Sequence, residues 1–146
     1  MYRLRRNSSK QYAFIDANLL IYLNCIKDRN ARKPYETLYY QVLNSYSVVT
    51  DVLVLDELIW ISKKKYNVPY NITLDFIRNA VLPYVDILPI NSMIIDEFFK
   101  ILINKYNLKP SDAIHIAVMT LHGISIIVSE DDDFDKINGL RRIWLS

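Results

Sequence analysis

Several carboxylates of this sequence lie at positions where burial would make a purely structural role costly. They follow or interrupt hydrophobic segments, and a buried carboxylate is unfavourable unless it is paired or binds a metal ion. If these groups converge in space, either their pKa values rise or a cation lies among them. They are Asp16, Glu57, Asp112, Asp131 and Asp133.

The chemistry that such a cluster could perform follows from its donor atoms. A site made only of carboxylate oxygens suits Mg²⁺ or Mn²⁺ rather than zinc. The common task of such a site is phosphoryl transfer, in which one or two ions activate a water molecule and stabilise the departing oxygen. Because no third zinc ligand is apparent, His115 and His122 are expected to have packing or surface roles. Cys25 is expected to be a small core residue.

Spacing alone leaves several roles open. Asp56 and Glu57 both have apolar neighbours one helical turn away, so the pattern does not choose between them. Asp112, taken alone, would be expected to stabilise a helix start, where exposed N–H groups and the dipole favour acids. Asn18 has two roles of equal weight, because it could either orient Asp16 or cap the next helix.

Composition excludes several common classes of enzyme. The only two glycines, Gly123 and Gly139, cannot form a G-x-G-x-x-G motif or a P-loop. The usual dinucleotide oxidoreductases, P-loop NTPases and protein kinases are therefore excluded. The absence of a G-x-S-x-G motif excludes a standard α/β-hydrolase. The single cysteine excludes an internal disulfide and a multi-cysteine metal site.

Hydrophobic periodicity and turn signals predict short strands that alternate with helices along the chain. Pro34 is predicted as the first residue of its helix, and Gly123 as the residue that ends the last one. The predicted caps are Thr50, Asn71, and either Asn91 or Ser92. The predicted strands are 12–15, 48–49, 84–90, 124–129 and one around 141–144. The predicted helices are 17–26, 34–46, 51–66, 72–81, 93–106 and 112–122.

This alternation predicts a single domain over residues 1–146 with an α/β fold, a three-layer α/β/α sandwich around a mainly parallel central sheet. Sites in such sheets lie just beyond the carboxyl ends of the strands. Asp16 and the acidic segment 130–133 each follow a predicted strand, so we expect both at the same edge of the sheet.

The charge distribution suits a polyanionic partner, although the net charge is only +2, from 18 basic and 16 acidic residues. Basic residues are concentrated at 3–10, 27–33 and 63–65. In these segments they could steer a phosphodiester backbone toward the acids. The predicted contacts to that backbone are Arg29, Arg32 and Lys33.

No apolar run reaches the roughly 18 residues that a membrane span needs. The segment 14–25 superficially resembles a signal peptide, but Asp16, Asn18 and Asn24 interrupt its apolar character. No cleavage site follows it either. We therefore expect a cytoplasmic protein that does not associate with a membrane.

Four segments follow one another in a characteristic order. They are Phe14-Ile-Asp-Ala-Asn-Leu-Leu, Thr50 with Glu57, Ser111-Asp-Ala-Ile-His-Ile-Ala, and Ile126-Ile-Val-Ser-Glu-Asp-Asp-Asp-Phe. In this order, from Ala13 to Ile143, the chain resembles the PIN domain family and, more narrowly, VapC-type toxins. The resemblance implies a parallel sheet enclosed by helices and a Mg²⁺- or Mn²⁺-dependent endoribonuclease.

The resemblance also assigns roles to residues by their position. The implied catalytic acids are Asp16, Glu57, Asp112 and Asp131. The implied metal ligands are Asp16, Asp112, Asp131 and Asp133, with Asp133 as a more distant acid or a ligand of a second ion. The residues expected to support them are Asn18 and Ser129.

The resemblance selects one of the two candidate helical acids, but it does not fix the register of the acidic segment. The helical acid of the family precedes a leucine, as Glu57 precedes Leu58, so Glu57 is selected over Asp56. Three consecutive aspartates leave open a shift in register from Asp131 to Asp132.

The resemblance further implies an RNA substrate, a cognate antitoxin that blocks the site, and a homodimer. The main alternative is a non-catalytic PIN-like protein that binds RNA or acts as a scaffold, although the presence of all four acids argues against it. A phosphatase-type Mg²⁺ hydrolase is a further alternative. Such enzymes have Asp-x-Asp after the first strand, and here Asn18 occupies the second of those positions.

Overall fold

A five-stranded parallel sheet forms the centre of the molecule, with the strand order β3-β2-β1-β4-β5. The computed structural model describes residues 10–104 and 106–146. The predicted α/β fold with a mainly parallel central sheet is confirmed. The strands are β1 (Tyr12–Ile15), β2 (Ser47–Asp51), β3 (Asp86–Leu88), β4 (Ile126–Val128) and β5 (Arg141–Ile143).

Helices in the described part of the chain form two groups that pack among themselves. Helix α1 contacts both α2 and α3, α3 contacts α4, and α5 packs against α6, as in a three-layer α/β/α sandwich. The helices are α1 (Ala17–Cys25), α2 (Arg29–Ser45), α3 (Val52–Tyr66), α4 (Tyr70–Phe76), α5 (Ile95–Ile103) and α6 (Pro110–Leu121). Short 3-10 turns span Ser92–Ile94 and Asp132–Lys136, and a π-helical turn spans Ile77–Val81.

Strand β1 occupies the middle of the sheet because it is apolar on both faces. Phe14 and Ile15 have no exposed surface, and neither does Val128, the partner of Ile15 on β4. Strands buried on both faces are typical of parallel sheets covered by helices. The Asp16 N–H donates to the carbonyl of Val128 at 3.0 Å, which extends the pairing past the strand. The residues that follow β1, β2 and β4 therefore meet at one edge.

The beginning of α2 differs from the prediction. The helix starts at Arg29, five positions before Pro34, so that Pro34 lies inside it. The carboxylate of Asp28 accepts hydrogen bonds from the N–H groups of Asn30 and Ala31, and this cap outweighs the proline signal. Pro34 is the sixth residue of the helix, beyond its first turn, so it removes the backbone hydrogen bond that an N–H at this position would donate to the Asn30 carbonyl.

The predicted caps Thr50 and Asn71 are wrong. Thr50 is the fourth residue of β2, and its hydroxyl donates to the carbonyl of Ile15 at 2.7 Å. Asp51 caps α3 instead, because its carboxylate accepts the N–H of Val54 at 3.1 Å. Asn71 lies inside α4, which begins directly after Pro69.

The predicted ends of the last two helices are closer to the observed ones. Asn91 caps the 3-10 turn before α5 by accepting the N–H of Met93, as predicted. Helix α5 ends at Ile103, three residues before the predicted end. Gly123 follows α6 with a φ of +67°, a conformation that favours glycine. No helix in the described residues is both long and apolar enough to cross a membrane.

Candidate metal-dependent active site

Asp16 is held firmly at the junction between β1 and α1. Its side chain is 5% exposed and caps α1, since Oδ1 accepts the N–H of Ala17 at 2.9 Å. Oδ2 accepts the hydroxyl proton of Ser129, at 2.7 Å, from the end of β4. The carboxylate thus has a fixed orientation at the carboxyl edge of the sheet.

Ser129 links this carboxylate to the acidic segment. Its fully buried hydroxyl oxygen accepts the N–H of Asp131 at 3.1 Å and the side-chain amide of Asn18 at 3.3 Å. Asn18 Oδ1 also accepts the N–H of Glu130 at 3.2 Å. The structure therefore gives Asn18 a supporting position through Ser129. It neither contacts Asp16 directly nor caps α1, because Asp16 is that cap.

The acidic segment separates into three different environments. Asp131 is partly buried and caps the following 3-10 turn by accepting the N–H of Asp133 at 2.9 Å. Asp132 is exposed. The carboxylate of Asp133 pairs with Lys136 at 2.9 Å. This geometry favours Asp131 over Asp132 as the acid that faces the other carboxylates.

Asp112 lies in the first turn of α6 with a side chain that is only 7% exposed. Burial first, and then the negative charges of Asp16 and Asp131, raise the pKa of Asp112 to about 6. Lys109 and His115 act in the opposite direction without compensating the effect. The carboxylate of Asp112 is thus destabilised by the acids around it.

Glu57 lies in the middle of α3, within reach of the charge of Asp16. The side chain is half-buried, whereas the neighbouring Asp56 is exposed. Burial and then the charge of Asp16 raise the pKa of Glu57 above its ordinary value. Glu57 and Asp112 therefore both respond to Asp16, although they come from different helices.

The charge of Asp16 acts on Glu57 and Asp112, and that of Asp131 acts on Asp112, while Asp133 forms a salt bridge with Lys136. Carboxylate oxygens of Asp16 and Asp112 lie within 4.8 Å of each other. A divalent cation fits this donor set, because it would neutralise buried oxygens that have too few cationic partners.

A buried hydrogen-bonded pair beside the acids was missed in the sequence. Asp51, at the end of β2, and His115, on α6, are 0% and 1% exposed, and His115 Nδ1 lies 2.7 Å from Asp51 Oδ2. Burial lowers the pKa of His115, but the hydrogen bond and charge of Asp51, with the charges of Asp16 and Asp112, outweigh this and raise it. His115 is packed in the interior, as predicted, but it has a polar partner.

One signal in the sequence could have identified this pair. His115 follows Asp112 by three positions, which places both side chains on the same face of α6. Asp51 follows a predicted strand, as Asp16 does. The cap assigned to Thr50 concealed that position.

The basic residues predicted to contact a phosphodiester backbone lie in the first turns of α2. Arg29 and Lys33 are exposed. Arg32 is occupied, because its guanidinium donates to Glu36 at 2.7 Å and to the carbonyl of Ile26 at 2.9 Å. Lys33 lines a surface cavity with Trp144, which follows β5 at the same edge of the sheet as the acids.

The remaining basic segments provide less support for contacts to a phosphodiester backbone. The lysines at the end of α3 lie over aromatic rings, which is typical of a solvated helix end. Of the predicted N-terminal segment 3–10, residues 3–9 lie outside the described part of the chain. Cys25 is buried in the core, as predicted.

We expect Ser129→Ala to weaken Mn²⁺ binding about tenfold, because second-layer hydrogen bonds typically contribute 10–100-fold to metal affinity. The variant removes the donor to Asp16 and the acceptor for the Asp131 N–H. Isothermal titration calorimetry with MnCl₂ measures the change. Ser125→Ala, at an exposed serine, is the control. Equal affinities for the two variants would contradict the role of this hydroxyl.

Comparison with known proteins agrees with this geometry. The sequence model of the PIN domain matches residues 13–140. The chain is 27% identical over 130 residues to VapC ribonuclease Mb1869c of Mycobacterium bovis, which covers 88% of this chain and 97% of that protein. The chain belongs to the PIN domain family.

Solved structures show the same fold at lower identity. The structure is similar to a toxin–antitoxin complex from Klebsiella pneumoniae, with 22% identity, a TM-score of 0.64, and coverage of 88% of this chain and 94% of the other. It is also similar to Mycobacterium tuberculosis VapC20, a sarcin-ricin loop cleaving toxin, with 17% identity, a TM-score of 0.68, and coverage of 84% and 92%.

Proposed function

We propose that this PIN domain is a Mg²⁺- or Mn²⁺-dependent endoribonuclease and the toxin of a type II toxin–antitoxin pair. The observation that supports this most is the convergence of acids from separate elements at the carboxyl edge of the sheet. They are Asp16 after β1, Glu57 on α3, Asp112 on α6 and Asp131 after β4. The names of the relatives agree with this activity.

Each acid has a distinct place in the proposed reaction. Asp16, Asp112 and Asp131 would hold the ion, which supplies charge neutralisation for the departing oxygen of a phosphodiester. Asp133 would act only at a distance, since Lys136 neutralises it. Glu57 is the acid best suited to accept a proton from the attacking water, because its raised pKa makes its carboxylate a stronger base.

The proposed substrate is RNA, and its backbone would approach the acids past Lys109. This exposed lysine directly precedes α6, and its charge acts on both Glu57 and Asp112. A cation at the entrance offsets the repulsion between a phosphate and a group of carboxylates.

The partners follow from the same proposal. A cognate antitoxin would block the acidic edge, and the toxin–antitoxin complex from Klebsiella pneumoniae supports such a partner. We also propose a homodimer and a cytoplasmic location, where RNA and antitoxin would both be met. Sedimentation of the purified chain, alone and with the co-expressed antitoxin, tests the two assemblies.

The function is tested by incubating the purified chain with structured RNAs in Mg²⁺, in Mn²⁺ and in EDTA. We expect endonucleolytic products only with the ions, and a large loss of rate in Glu57→Gln. Asp56→Asn, at the exposed acid next to it, is the matched control and should cleave normally. Undiminished RNA binding in EDTA, without products under any condition, would instead favour a non-catalytic RNA-binding protein.

RNA affinity should depend on Arg29 and Lys33 but not on Arg32. Removing two phosphate contacts on single-stranded RNA should lower the slope of log affinity against log salt by about 1.4. Arg32→Ala should leave this slope unchanged and lower the melting temperature, because its guanidinium holds Glu36 and the Ile26 carbonyl. Fluorescence anisotropy at several salt concentrations measures the slopes. An equal loss of slope for Arg32→Ala would contradict the assignment.

A further inference from the structure

The proposed reaction leaves one buried polar pair without a role, the pair formed by Asp51 and His115. Both side chains are almost fully buried, and their contact measures 2.7 Å. Replacing such a pair by apolar residues is often neutral or stabilising, so its presence is weak evidence for a purely structural role. Its place in the fold suggests another purpose.

The imidazole of His115 lies against the acids. A ring nitrogen of His115 and carboxylate oxygens of Asp16 and Asp112 all lie within 4.8 Å of one another. One ion with bonds of about 2.0–2.2 Å spans up to about 4.4 Å between opposite ligands, so side-chain shifts of a few tenths of an ångström are enough to bring all three groups to it. All three residues are buried.

One ring nitrogen, Nδ1, is already engaged, so Nε2 is the nitrogen that an ion could bind. Nδ1 of His115 is 2.7 Å from the carboxylate of Asp51, and the ring is also packed against Phe14, with centroids 5.3 Å apart. A histidine that binds a metal almost always donates its second ring N–H to a carboxylate or carbonyl, which sets its tautomer and orientation. The arrangement of Asp51 and His115 matches this pattern.

We propose that His115 is a direct ligand of the divalent ion, oriented by Asp51 as a positioning residue, so that the centre contains nitrogen as well as oxygen donors. This inference rests on the proposed function. Mg²⁺ binds mainly through oxygen, whereas imidazole suits transition metals. The centre should therefore prefer Mn²⁺ to Mg²⁺ more strongly than a site made only of carboxylates.

The test uses the full chain loaded with Mn²⁺ and pulsed electron paramagnetic resonance, which detects nitrogen bound to the ion. The chain has only two histidines, and His122 is a matched control. It lies at the end of α6, about 15 Å from Asp112 at 1.5 Å per residue, and its Nδ1 contacts the Val118 carbonyl. Labelling with ¹⁵N-histidine identifies the signal as imidazole.

We expect nitrogen modulation in the wild type and in His122→Gln, and none in His115→Gln. Mn²⁺ should bind 10–100-fold more weakly to His115→Gln and Asp51→Asn, as is typical when an orienting partner is lost. Asn at position 51 can still cap α3 through its side-chain oxygen, so the fold is retained. Circular dichroism of the metal-free variants checks this.

The outcomes separate this inference from the proposed function. Mn²⁺ bound without nitrogen modulation, or modulation that persists in His115→Gln, would overturn the role of His115 and leave the carboxylate site intact. Failure of the wild type to bind Mn²⁺ at all would overturn both. Mn²⁺ binding that disappears in Asp16→Asn, together with imidazole modulation in the wild type, supports both.

Discussion

Asp16→Asn is expected to lower the rate of metal-dependent RNA cleavage by roughly 10³-fold or more. A metal ion stabilises the charge of the transition state by several kcal/mol, and each 1.4 kcal/mol corresponds to tenfold in rate. Asp16 is the acid whose charge acts on both Glu57 and Asp112, so its loss weakens the centre of the group. Cleavage of a labelled RNA at saturating Mg²⁺ or Mn²⁺ measures the effect.

The fold should survive this substitution, because each contact of Asp16 has a substitute. The asparagine oxygen can still accept the N–H of Ala17, and asparagine is as good an N-cap as aspartate. The new amide can take the place of the Asn18 amide as a donor to the Ser129 hydroxyl, which has two acceptor sites and already accepts the N–H of Asp131. A loss of activity therefore reports on the carboxylate and not on unfolding.

Asp28→Asn is the matched control for this experiment. Asp28 caps α2 as Asp16 caps α1, but it is exposed and belongs to no acidic group. It should keep full cleavage activity and a nearly unchanged melting temperature. If Asp16→Asn kept cleavage within about threefold of the wild type, the assignment of the acidic edge as the active site would be wrong.

The fold was largely predictable because local signals agree with the global arrangement. The boundaries of β1 were predicted to the residue, since a short apolar strand is followed at once by a polar cap. The expected meeting of Asp16 and Asp131 at one edge of the sheet follows from parallel topology alone. The structure places both beside Ser129, as that rule requires.

The pair of Asp51 and His115 was not predictable, for a physical reason. The two residues are 64 positions apart, and their contact depends on where α6 lies relative to the end of β2, which no local pattern encodes. The predicted start of α2 was wrong for a different reason. Two local signals competed there, and the carboxylate cap of Asp28 prevailed over the proline at position 34.

The choice of Glu57 over Asp56 was only partly predictable from the sequence. Their spacing to apolar neighbours is equivalent, so the pattern left both open, and only the family resemblance selected one. In the structure Glu57 is half-buried near Asp16, whereas Asp56 is exposed. The difference is set by tertiary packing, which the local pattern does not encode.

Asp112→Asn is expected to stabilise the metal-free protein at neutral pH by about 2 kcal/mol. The pKa of Asp112 is about 6 in the folded chain against 3.8 ordinarily. Each unit of pKa difference corresponds to 1.4 kcal/mol, reduced here by the favourable position of an acid in the first turn of α6. Urea unfolding of the wild type and the variant in EDTA measures the difference.

The dependence on pH has a definite sign. Between about pH 4 and pH 6 the unfolded chain releases the Asp112 proton before the folded chain does, so the free energy of unfolding falls as pH rises. Asparagine has no proton to release, and the gap between variant and wild type should therefore open across this window. At higher pH His115 also lowers the free energy of unfolding, because its imidazole pKa is raised above 6.5 and its stabilising contribution is lost as the ring loses its proton.

Metal ions should reverse the order of stability. Saturating Mn²⁺ stabilises only a chain that binds it, by about 2.7 kcal/mol at a concentration 100 times the dissociation constant. The wild type should then equal or exceed Asp112→Asn, while Asp56→Asn follows the wild type in both buffers. If Asp112→Asn were less stable than the wild type in EDTA, Asp112 would support the fold. Repulsion among the acids would then not destabilise the metal-free protein, and this prediction would be wrong.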